Sequence, residues 1–241
     1  MTEFFQSELW QEAVKIFEAE LISDIWQTIY STVLSTLFAY IIGLPLGVLL
    51  VAGEEDGVMP IPRWLMNALN VVINILRSVP FLILMIIALP LSRFIVGSGI
   101  GTPAMIPPLI IAAFPFIARL VESSLRETDR GVIEAAQSMG ATPMQIIRKV
   151  MLPEAMPSLI SGAALAFATI MGYGAMAGII GGRGLGFLAI NYGLYRKIWI
   201  VKWAAVILLV VLVQIFQSAG TKLAVKSDKR ITQITKRRKT R

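Results

Sequence analysis

The sequence predicts an all-α, polytopic membrane protein with about five transmembrane helices, and three observations carry that prediction. Of 241 residues 56% are hydrophobic and only 15% charged, with a mean hydropathy of +0.74, a composition outside the range of soluble globular domains. The apolar residues gather in five runs, each near the roughly 20 residues that a helix needs to cross the hydrocarbon core. A long polar insert separates the third run from the fourth.

The N-terminal stretch, Glu3 to Asp24, sets Phe5, Leu9, Ile16 and Phe17 against Glu8, Glu12, Glu18 and Glu20, an imperfect amphipathic pattern expected to lie along the outer membrane surface. The first run, Ile25 to Ala52, follows acidic rather than basic residues and lacks a small-residue cleavage site, so a retained span is expected rather than a signal peptide. The second run extends from Leu65 to Leu91 and carries Asn67, Asn70, Asn74 and Arg77 at steps of three, four and three. At ~100° per residue these share one helical face. A central Arg costs at least about 2.5 kcal/mol in hydrocarbon, so the face is expected to turn toward the bundle, a partner subunit or a hydrated path. Arg77 then either lines the path, with Asn70 and Asn74, or snorkels to a neighbour's carbonyls.

The third run is Pro103 to Val121 and the fourth Pro157 to Ile180. In the fourth, Gly172, Gly174 and Gly178 alternate with alanines, which suits close helix packing; Met171, Tyr173 and Met176 are the competing candidates for a path lining. Gly181 to Gly186, GGRGLG, has the wrong spacing and no preceding strand for a dinucleotide fingerprint, and reads as a flexible extracytoplasmic turn. The fifth run, Ile198 to Leu223, ends in a basic tail.

Five spans place the termini on opposite sides. With the C-terminus inside, the inner segments hold fifteen Lys/Arg and the outer segments six, so the expected orientation is N-terminus outside and C-terminus cytosolic. The tail from Lys222 to Arg241 supplies nine of those basic residues against one Asp, more than the whole net charge of +7, so the rest of the chain is close to neutral; the tail is expected to anchor to anionic lipid rather than to nucleic acid. The expected divisions are 1–24 as the N-terminal segment, 25–223 as the five-span domain with a cytosolic loop at about 126–156, and 224–241 as the tail.

Absences exclude whole classes of chemistry. Cysteine and histidine do not occur, which removes disulfides, thiolate nucleophiles and histidine metal ligands. No phosphate-binding G-x-x-x-x-G-K-[ST] loop occurs, so ATP hydrolysis is not expected of this chain. No Asp or Glu falls near the middle of an expected span, which argues against an ion-coupled carrier.

The polar insert, EAAQSMGATPMQIIRKVMLPE from Glu134 to Glu154, has the form of a docking surface held out of the membrane. Glu134, Ala135 and Ala136 are followed by Gly140 and Ala141, and Leu152 and Pro153 close the run. This resembles the EAA loop of ABC importer permeases. With RSVPFLIL from Arg77, AAFPFIARLVESSL from Ala112, GYGAMAG and GGRGLG, the chain resembles the permease subunit of methionine ABC importers.

The resemblance implies the ABC importer permease fold and a homodimer with two cytosolic ABC ATPase subunits. It also implies an extracytoplasmic substrate-binding protein or lipoprotein, ATP and Mg on the ATPase, and no cofactor on this chain. Glu134, Ala135, Ala136, Gly140, Ala141, Leu152 and Pro153 become the coupling residues. An importer of the same architecture for another amino acid or small peptide is the alternative.

Overall fold

The structure is a computed structural model, described here for residues 8–228; the N-terminal residues 1–7 and most of the basic tail lie outside the described residues. No strand occurs among the described residues. The helices are α1 (Glu8–Ala52), α2 (Arg63–Ser78), α3 (Phe81–Val96), α4 (Thr102–Arg126), α5 (Arg130–Ser138), α6 (Pro143–Ile146), α7 (Met156–Ala177), α8 (Leu185–Tyr195) and α9 (Trp199–Ser227). Two wider-wound or short turns, Ile147–Met151 and Leu152–Glu154, connect α6 toward α7. Four of these helices, α1, α4, α7 with its following turn, and α9, are long and apolar enough to cross a membrane.

The second expected span is not one helix. The helical path breaks between Ser78 and Phe81 with a bend of 109°. Pro80 causes it: proline lacks an N–H and drives the preceding residue, Val79, out of the helical region. α2 and α3 have 16 residues each, or ~24 Å at 1.5 Å per residue, short of the ~30 Å hydrocarbon core. Neither half crosses by itself.

The N-terminal segment is also not separate from the first span. α1 continues without interruption through residues 24 and 25, with one π-helical turn at Phe17–Leu21.

The chain forms two compact units. One gathers residues up to Phe38, Val79–Ala113 and Phe167–Ile215; the other gathers Ala39–Ser78, Phe114–Ala166 and the residues from Phe216 on. In the first unit Ala13 and Ile16 of α1 are buried against Leu185 and Leu188 of α8 and Ile198, Val201 and Ala205 around the start of α9. The face of α1 in this unit is unexpectedly polar: Asp24, Thr28, Ser31, Thr32 and Ser35 are all buried. The hydroxyls of Thr28, Ser31 and Thr32 donate to helix carbonyls three or four residues back, which satisfies them without water.

In the second unit Leu50, Ile73 and Ala118 form a buried cluster with Leu46, Met66 and Leu69 packed on it. Gly43 and Gly47 of α1 lie against α4 so closely that a Cβ at Gly43 would come within 2.8 Å of Ile117, and one at Gly47 within 2.5 Å of Val121. Glycines four apart let two helices approach to backbone contact, where dispersion replaces the hydrophobic drive that lipid does not supply.

Candidate functional site

The polar insert folds as two capped helices in the second unit. Asp129 caps α5, its carboxylate accepting from the Gly131 N–H at 2.8 Å. At the other end the Ala141 N–H donates to the Ala136 carbonyl (3.1 Å) and the Gly140 N–H to the Gln137 carbonyl (2.9 Å). That bond pair is a Schellman motif, and it places Gly140 at φ +78°, the left-handed region that glycine enters without a Cβ penalty. Thr142 and Gln145 then form a reciprocal capping box, with Pro143 opening α6. Hydrogen bonds within the chain thus define both turns of the segment.

Along α5, Glu134 and Ala135 are exposed while Ala136 is buried. The two alanines divide the work: Ala136 seats the helix on its own chain, and Ala135 leaves the outer surface low. Val132 (45% exposed) and Met139 (81%) share the outer face with Ala135, and Met144 (48%) follows. These apolar side chains were not among the sequence candidates, although their spacing was readable. Gly140 is exposed, Ala141 and Leu152 half-buried and Pro153 exposed. Beside α5, the loop after α1 and the helix enclose a cleft of about 230 Å³ lined by Glu54, Asp56, Arg130, Glu134 and Gln137 among others.

The candidate path residues fall in both units. In the second, Asn70 and Asn74 do not pair with Arg77; each carboxamide oxygen accepts from Nη2 of Arg119 on α4, at 2.8 and 2.9 Å. Arg119 also donates to Glu122 at 2.6 Å. Asn67, Asn74 and Arg77 are exposed, whereas Ile73 carries the buried face of α2. Part of the expected polar face thus turns to α4, and Arg77 stands on the open side.

In the first unit the three α7 candidates point in different directions. Met171 is buried at 1% exposure and Met176 is 48% exposed, while Tyr173 stacks on Phe81 with ring centroids 4.3 Å apart and planes 8° from parallel. They do not form one lining. The GGRGLG turn is pinned rather than flexible. The Gly184 N–H donates to Asp24 (3.1 Å) and the Leu185 N–H to the Thr28 hydroxyl (2.9 Å), so α1 supplies the cap of α8. Arg183 pairs with Glu20 at 3.2 Å, and the Tyr192 phenol donates to Glu20 at 2.9 Å. Burial, and then that hydrogen bond, pushes the Tyr192 phenol above its ordinary pKa.

Comparison with known proteins places this geometry. Residues 43–224 match the model of the binding-protein-dependent transport system inner membrane component. The probable D-methionine transport system permease protein MetI of Vibrio cholerae is 47% identical over 213 residues, covering 87% of this chain and 93% of that protein. Its counterpart in Haemophilus influenzae is 48% identical over 205 residues, 85% of this chain and 96% of that protein. A solved chain of the MetNI methionine ABC transporter, in an inward-facing conformation, superposes with a TM-score of 0.85 at 39% identity, over 92% of this chain and all of that one. The family model spans three quarters of the sequence, the apolar helices and the capped polar segment included: the chain belongs to the family of inner membrane components of binding-protein-dependent transport systems.

Proposed function

We propose that this chain is the membrane-spanning subunit of an ATP-driven methionine importer. The observation that carries the coupling role is the exposed outer face of α5, where Val132, Ala135 and Met139 present an apolar patch on a helix fixed at both ends, with the exposed Glu134 round the helix at the mouth of the cleft. Such a face suits a groove in a separate ATPase, with Glu134 meeting a basic residue there. The identity to D-methionine permeases supports the substrate.

In this reading two copies of the chain enclose the path between them, and two ATPases dock on α5 and α6 from the cytosol. ATP and Mg are held by those ATPases. Their closure on ATP draws the docked segments together and turns the path outward; hydrolysis resets it inward. An extracytoplasmic binding protein supplies the substrate, whose zwitterionic ends cross hydrocarbon only at a cost of several kcal/mol. The N-terminus then lies outside and the basic tail in the cytosol, against anionic lipid. Outward apolar residues of α9, among them Ile207, Val210 and Ile215, match a lipid or partner-subunit environment. Arg77, exposed on the open side of α2, is our candidate to meet the substrate.

The test is reconstitution with the neighbouring ATPase and binding protein. The reading requires methionine uptake that depends on ATP and on the binding protein; better uptake of glutamine or lysine than of methionine would support a different amino acid on the same architecture.

A further inference from the structure

Arg119 is a charged group drawn well into the second unit, with its side chain 20% exposed, and it sits at the middle of a continuous chain of hydrogen bonds. On one side it holds Asn70 and Asn74, which lie one turn apart on α2. On the other it meets Glu122, whose second oxygen accepts from Arg126 at 2.9 Å. Arg126 in turn donates to Glu54 at 2.6 Å. Glu54 belongs to the loop that lines the cleft beside α5 with Glu134 and Gln137. Two arginines face two glutamates, so the network is neutral within itself.

We propose that Arg119 is a positioning residue of the transport cycle: it makes α2, with Arg77 on its open face, follow α4 and the docking segment that α4 leads into. The inference rests on the importer reading above. Adhesion alone does not account for the network, because Leu50, Ile73 and Ala118 already pack this unit and apolar replacement of a buried ion pair is often neutral in stability. What a guanidinium adds is direction. Its planar fork fixes two carboxamides and a carboxylate at once, so α2 cannot slide along α4 without breaking charged bonds. The last residue of α4, Arg126, belongs to the same network and stands three residues before the cap of α5. A displacement of the docking segment therefore reaches α2 through bonds rather than through loose packing.

The experiment uses the whole complex in liposomes, with this chain, its ATPase and its binding protein, and reads substrate imported per ATP hydrolysed. Arg119→Met and the double variant Asn70→Ala/Asn74→Ala lower that ratio by about tenfold or more, the weight of a hydrogen bond to a charged group, while complex assembly and ATP hydrolysis persist. Arg119→Lys, which keeps the charge and loses the fork, falls between. Arg63→Met, which removes an exposed ion pair between the start of α2 and Glu55 of the preceding loop, leaves the ratio unchanged. An unaltered ratio in Arg119→Met overturns the proposal, and so does a loss of assembly in Arg119→Met with an unaltered ratio in the asparagine double variant. A wild-type complex that imports another amino acid leaves the ratio measurable with that substrate. A wild-type chain that binds no ATPase overturns the importer reading, and the role of Arg119 with it.

Discussion

Replacing Gly140 separates the shape of the docking segment from its contacts. The residue sits at φ +78°, and a Cβ built there meets nothing within 4 Å. The chain itself thus has room for any side chain, and the backbone alone opposes one. A non-glycine residue in the left-handed region costs about 1–2 kcal/mol, less for asparagine, which is a shift of about 5–30-fold in the occupancy of the Schellman cap. Gly140→Asn is expected to retain coupling, Gly140→Ala to weaken it within that range, and Gly140→Trp to lose ATPase association, because the same backbone cost is joined by a bulky ring on the docking side. Co-purification of the ATPase with each variant, at matched expression in the membrane, reads the series. Equal association by all three would refute the argument, and so would failure of Gly140→Trp to insert, which would mean that its effect is on folding.

Other expectations follow from contacts of similar clarity. Gly47→Leu forces bulk into the α1–α4 contact at 2.5 Å from Val121 and is expected to destabilise the chain by about 1–3 kcal/mol or more, seen as a lower thermal midpoint in detergent; an unchanged midpoint would mean that the helices separate freely. Thr28→Val leaves the buried Leu185 N–H without its acceptor, at a cost of about 1–3 kcal/mol, and hydrogen exchange is expected to rise at residues 184–187 before anywhere else. Met139→Asp puts a charge on the outer face of α5 and is expected to reduce ATPase association without changing the thermal midpoint of the isolated chain; intact association would move the docking surface elsewhere.

The helical bundle was legible because the membrane imposes long apolar runs, and the ends of α4, α7 and α9 lie within a few residues of expectation except where polar residues extend a helix into water. The break in the second span was not. Hydropathy sums composition over a window and passes through Val79–Pro80 unchanged, although Pro80 itself was the signal. The Asn face of α2 was legible as a face, but periodicity within one helix cannot name a partner 49 residues away, so Arg119 went unremarked. The GGRGLG turn read as flexible for the same reason: its acceptors, Asp24 and Thr28, lie on α1. Met171, Tyr173 and Met176 could have been separated on the sequence, since at ~100° per residue Met171 and Tyr173 are roughly 160° apart. The turn at Gly140 was legible from glycine chemistry alone, whereas the outward Met139 and Met144 lie beside the motif residues and drew no reading.

The most direct measurement is radiolabelled methionine uptake into proteoliposomes holding this chain with its ATPase, with ATP supplied on the ATPase side and the binding protein on the other. The account predicts methionine accumulation against its gradient that requires ATP, the binding protein and an intact α5 face, and that stops with Gly140→Trp. Uptake by this chain alone, driven by an ion gradient and indifferent to ATP, would contradict it.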